Sequence, residues 1–234
     1  MRPTSAPAEL PDVTKRRPGW PETLAAAVVY VLCYLVGPPV ISALTQDAPV
    51  PSGLAFAALS GVMGLLAFFA AFFLRIRSWA AFNVRAIPAR WVFFSIGFGL
   101  LAFLLVRLVA TIVVAITGST SGDPQGGYQA AANGGPLALI LQLLFIAVLT
   151  PLGEEFAFRG VLSTALTRFG PWVSVLGSTV IFALAHGINL ALIPALVVGA
   201  INGILLVRTK SVWPGVIVHA VSNGVGALLS AVLG

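Results

Sequence analysis

The sequence predicts an all-α, polytopic transmembrane bundle of about seven helices with a cytoplasmic N-terminus. Three observations predict it. Of the 234 residues, 59% are hydrophobic and only 9% are charged, with a mean hydropathy of +1.02. Soluble domains carry roughly 25% charged residues, so a chain this poor in charge cannot cover a water-facing surface, and lipid must be its solvent. Seven apolar stretches follow one another along the chain. Finally, every loop lysine and arginine falls on one side of the alternating connections.

Residues 1–20 are polar and Pro-rich and read as a disordered cytoplasmic tail, with Lys15, Arg16 and Arg17 ahead of the first apolar stretch. That stretch is too long for a signal-peptide core and has more spans behind it, so a retained helix is expected. The stretches are 24–45, 53–74, 91–116, 137–166, 172–187, 189–207 and 212–233. The fifth and sixth are short, and their border falls either at Gly187–Asn189 or at a turn near Pro194. Residues 21–136 then form an N-terminal helical part and 137–234 a second helical core.

One set of connections holds Arg2, Lys15, Arg16, Arg17, Arg75, Arg77, Arg85, Arg90, Arg168, Arg208 and Lys210, while the opposite loops, 46–52 and 117–136, contain neither Lys nor Arg. Positive charge marks the cytoplasmic side of membrane proteins. The basic character is thus topological, and nucleic acid is excluded as a partner. The partners expected are membrane lipid and membrane-associated peptides or proteins, at the cell membrane. The segment 75–90 is expected to lie along the interface, with Trp79, Phe82 and Trp91 at headgroup depth. The Gly/Ser-rich segment 117–136 reads as a flexible external loop. Cys33 is the only cysteine, which excludes an intrachain disulfide and a Cys-based zinc site.

Charged side chains cost about 2.5–3.5 kcal/mol each at mid-bilayer and usually face the bundle interior. The fourth stretch nevertheless holds Glu154, Glu155 and Arg159, three residues and more beyond Pro151. On a helix the two carboxylates point about 100° apart, so one partner is not expected to serve both. Glu155 and Arg159, spaced i, i+4, can pair, which leaves Glu154 facing elsewhere. The chain's two histidines also lie in apolar stretches: His186, and His219 with Asn223 four residues on. Glu154 and His186 stand equally far, roughly 24 Å, from the turn near Gly170 and should meet at one level in the cytoplasmic half. His219 enters from the turn near Ser211. Arg107 is expected to snorkel or to find an interior partner, Asn202 and Ser222 to serve packing, and Gly199/Gly203 to bring two helices close.

A carboxylate held beside two imidazoles and an amide can position and deprotonate a water, which indicates hydrolysis. No Ser-His-Asp set is visible. A structural ion-pair network, a polar interhelical clamp and a proton relay of a small transporter are the competing readings of the same residues.

The order EExxxR (Glu154, Glu155, Arg159), FxxxH (Phe182, His186) and HxxxN (His219, Asn223) resembles the CPBP family, which includes type II CAAX prenyl endopeptidases and bacteriocin-processing and self-immunity proteins. The resemblance covers roughly residue 137 to the C-terminus; the first half matches only as hydrophobic helices. It implies an intramembrane endopeptidase in which Glu154 is the base, His186 stands beside it, His219 and Asn223 complete the water or oxyanion site, and Glu155 with Arg159 braces it. A metalloprotease with zinc on Glu154, His186 and His219 and a metal-free glutamate mechanism both remain open. So does a non-catalytic immunity or sensor-partner role. Nothing indicates prenyl recognition, and a bacterial peptide is the expected substrate.

Overall fold

A computed structural model describes residues 17–118 and 126–233. The chain is all-α. Its helices are α1 (Trp20–Thr45), α2 (Pro49–Ile76), α3 (Ala89–Thr117), α4 (Gly126–Ala132), α5 (Pro136–Phe169), α6 (Pro171–Ala185), α7 (Leu192–Thr209) and α8 (Trp213–Leu233). Six of them are long and apolar enough to cross a membrane, all but α4 and α6. The seven expected stretches are therefore all present as helices, and α4 is an addition.

The boundaries follow local chemistry. Proline occupies the first turn of α2, α5 and α6, where its missing N–H costs nothing. Gly170, at φ +109°, makes the tight turn between α5 and α6 that a side chain would resist. The sixth stretch begins at Leu192, three residues later than expected, because Asn189 closes the preceding turn. Its Oδ1 accepts the Ala191 N–H at 2.8 Å, and its amide donates to the His186 carbonyl at 3.1 Å. Pro194 lies in the first turn of α7.

The outer faces of α1 and α3 carry exposed Leu, Val and Phe side chains, as a lipid-facing surface requires. The core is concentrated where α2, α5, α6 and α8 meet, around Phe68, Phe82, Phe156, Phe158 and Phe182. Two backbone contacts bring its helices together. A Cβ on Gly153 would stand 2.0 Å from the Gly61 carbonyl oxygen, so α2 and α5 touch main chain to main chain. Gly199 and Gly203 let α7 approach Thr179 and Val175 of α6, as their spacing suggests.

The structure bears on three of the expectations. Phe82 is fully buried against Phe68 and Phe72 and presents no surface to lipid, because the turn Trp79–Phe82 folds back onto the end of α2. The segment 117–136 is not loop throughout: 126–132 forms α4, with Ala131 and Ala132 buried and Gly127 packed on Gly53 of α2. Arg107 is exposed on α3, which agrees with the snorkelling alternative and not with the interior one. The expected disordered tail lies outside the described residues except for 17–20, in which Pro18 and Gly19 are buried and Trp20 begins α1.

Candidate active site

α5 is not a regular helix. It widens to i→i+5 bonding over Phe145–Leu149 and again over Glu155–Ser163, and such bulges are frequent at functional sites. The first widening has a sequence cause. In that register residue 151 would donate to the Ile146 carbonyl, but Pro151 has no N–H. Asn223 of α8 supplies the missing donor, its Nδ2 lying 3.1 Å from the Ile146 oxygen. Asn223 thus braces the backbone just before the carboxylates, and its amide hydrogen bond goes to this carbonyl rather than to Glu154.

The two carboxylates diverge as a helix dictates. Glu155 is completely buried, faces Arg159 with Nε to Oε2 at 3.2 Å, and accepts from the Asn202 amide at 2.9 Å. Arg159, equally buried, donates to the Gly199 carbonyl at 3.1 Å and lies 4.3 Å over the Phe182 ring. Glu154, 1% exposed, turns toward α2, α6 and α8, where the Ser60 hydroxyl donates to its Oε1. Its Oε2 has no hydrogen-bond partner.

Both histidines reach Glu154. His186 Nε2 is 3.8 Å from Oε1, and His219 Nε2 is 3.8 Å from Oε2. The opposite ring nitrogens are committed elsewhere. α6 ends at Ala185, leaving its last carbonyls without intrahelical donors, and His186 Nδ1 takes up the Phe182 carbonyl at 2.8 Å. His219 Nδ1 meets Glu155 Oε1 at 3.2 Å. His219 is thus bonded to Glu155 while its other nitrogen faces Glu154 without a direct hydrogen bond, an arrangement possible because an imidazole carries a nitrogen on each side of its ring. Phe182 holds both rings edge-on, its centroid 4.7 Å from His186 and 6.1 Å from His219.

With Nδ1 donating in each case, both neutral imidazoles turn Nε2 lone pairs toward a carboxylate. Acceptors facing acceptors at 3.8 Å, too far for a direct hydrogen bond, call for a donor among them, and a water or an added proton supplies one. A metal fits less well. Ligands of one tetrahedral zinc stand about 3.4 Å apart at normal bond lengths, whereas here the two histidines address different oxygens at 3.8 Å. Among the described residues, Glu154, His186 and His219 do not close into a metal-holding set, nor does any other His, Cys, Asp or Glu group.

The structure thus gathers Glu154, Glu155, Arg159, His186 and His219 and places Asn223 behind them as a brace. Two participants escaped the sequence reading. Asn202 binds Glu155 and the Gly215 carbonyl rather than merely packing; an amide inside an apolar helix, which needs a partner there, was the available signal. Ser60 lies in the half of the chain without a motif, and nothing in its local sequence marks it.

Residues 136–225, which contain all seven motif residues, match the family described as Rce1-like, type II CAAX prenyl endopeptidase. The resemblance carried by the three motifs is therefore borne out over that segment, and the match points to an intramembrane protease of CAAX type. No curated protein and no solved structure matches the chain.

Proposed function

We propose that this membrane protein is an endopeptidase in which Glu154 activates a water against a peptide bond of a membrane-associated peptide or protein. The observation that carries the reading is the unpartnered Oε2 of a buried Glu154, flanked by two imidazole Nε2 atoms at 3.8 Å.

Charge balance supplies the other half of the chemistry. Two buried carboxylates meet one buried guanidinium, leaving one net negative charge in a medium that penalises it. One further proton, on His219 or Glu154, neutralises the cluster. With that proton on His219, Nδ1–H holds Glu155 and Nε2–H points into the site as an oxyanion donor. Glu154 then takes a proton from water while the water oxygen bonds to the peptide carbonyl carbon. Collapse of the tetrahedral intermediate breaks the C–N bond, and the proton on Glu154 passes to the leaving amine. His186, held by the Phe182 carbonyl, positions the water. Glu155, Arg159 and Asn202 orient His219 without touching substrate.

We also infer from the positive-inside rule that the basic end of the bundle faces the cytoplasm, which puts Glu154 in the cytoplasmic half of the membrane.

The test uses purified full-length protein in vesicles, incubated with a detergent-extracted pool of membrane peptides, with new termini read by mass spectrometry. Wild type is expected to create termini that the Glu154→Gln variant does not, and dialysis against a strong divalent-metal chelator is expected to leave the rate within about twofold. Loss of cleavage on chelation, restored by zinc, would overturn the metal-free step. Proton flux abolished by Glu154→Gln, with no cleavage by wild type, would make the site a proton relay instead.

A further inference from the structure

A second polar site lies at the basic end of the bundle, away from the glutamates. The N-terminus of α1, the end of α2, the end of α5 and the α7–α8 turn line an open cavity of about 510 Å³. Four cationic side chains line it: Arg17, Arg75, Arg168 and Lys210. Thr164, also in its wall, is ten residues beyond Glu154, roughly 15 Å along the helix, so the two sites are separate.

Among the described residues, carboxylates balance only part of the positive charge in this cavity. Glu22, fully buried, caps α1 by accepting the Gly19 N–H at 2.8 Å and pairs with Arg75, whose Nη2 lies 3.0 Å from Oε2. That pair is self-contained. Among the described residues the remaining acidic groups are Asp47, at the opposite end, and Glu154 and Glu155 in the interior. Arg17, Arg168 and Lys210 therefore line one cavity with no carboxylate of their own among the described residues. Arg168 is held in place by the Ala165 carbonyl at 2.8 Å and lies 5.5 Å over the Trp20 ring at the rim. Three cations kept together at the ends of membrane-spanning helices repel one another unless an anion joins them.

We propose that this cavity binds a phosphate group, either the headgroup phosphate of an anionic phospholipid or a free phosphate. Its depth matches the headgroup layer, because α1 begins at Trp20 and α5 ends at Phe169 on its border. An indole at the rim and arginines beneath it suit a phosphodiester carrying acyl chains toward the bundle's outer face.

The experiment uses delipidated full-length protein in a neutral detergent. It follows thermal stability during titration with short-chain phosphatidylglycerol, with phosphatidylcholine of the same chain length, and with inorganic phosphate. Phosphatidylglycerol is expected to raise the melting temperature saturably and phosphatidylcholine far less. The double variant Arg17→Gln/Lys210→Gln, at two exposed positions, is expected to weaken that binding about tenfold or more. Arg90→Gln/Arg208→Gln removes the same charge from the same end outside the cavity and is expected to change it by less than about twofold. Saturable stabilisation by inorganic phosphate alone, lost in the first double variant, identifies a free-phosphate site of the same chemistry. Equal weakening by both double variants, or no stabilisation by either phosphate probe, overturns the proposal.

Discussion

Replacing Glu154 by glutamine is expected to lower kcat/KM on a cleaved membrane peptide by about 10²–10⁴-fold while leaving the fold intact. Glutamine keeps the shape of the side chain and an oxygen for the Ser60 hydroxyl, but it cannot take a proton from water. Its amide would donate toward His219 Nε2, filling the gap from which Oε2 now faces that nitrogen at 3.8 Å. Substituting the neighbouring residue should act differently. In Glu155→Gln the buried Arg159 loses its carboxylate, which costs about 3–5 kcal/mol, so the loss appears first as a lower melting temperature. Initial rates and thermal melts of both variants, measured side by side in one detergent, check the assignment. If Glu154→Gln cleaves within twofold of wild type, or if both variants only melt earlier, Glu154 is not the base.

The Gly153→Ala substitution should destabilise the bundle by about 3 kcal/mol or more, at the upper end of what overpacking costs. The added methyl would stand 2.0 Å from the Gly61 carbonyl oxygen. Backbone of one long helix cannot step aside from backbone of another, so α2 and α5 must separate along this contact. Ser60 and Glu154 are the neighbours of these two glycines, and their hydrogen bond would be lost with the contact. Activity should therefore fall even at temperatures where the variant is folded. Gly97→Ala is the control: nothing lies within 4 Å of a methyl there, and inside a helix alanine should be neutral or stabilising by up to about 1 kcal/mol. Denaturant titration in mixed micelles gives both numbers, and equal midpoints for the two variants would remove the close α2–α5 contact from the account.

The contrast between these glycines shows what kind of information a sequence carries. Gly97 lies within an apolar run and Gly153 beside the carboxylate pair, and neither context says what will pack against it. Only the helix that arrives opposite distinguishes an open lipid face from a main-chain contact. The same holds for Ser60, a small hydroxyl on α2 whose meaning depends on Glu154, 94 residues later. Asn202 likewise reads as packing until α5 and α8 place Glu155 and the Gly215 carbonyl beside it.

The sequence by itself determined the solvent, the succession of helices, the segregation of positive charge to one end and the polar residues that lipid would not otherwise tolerate. These follow from transfer free energies and helical periodicity, which act residue by residue and need no partner. Tertiary structure alone decided which acceptor faces which donor: that His219 spans both carboxylates, that Asn223 repairs the backbone left open by Pro151, and that Oε2 of Glu154 remains unpaired between two imidazoles. Hydrogen bonds and backbone contacts depend on ångström distances between distant segments, and those distances arise only when the helices close on one another.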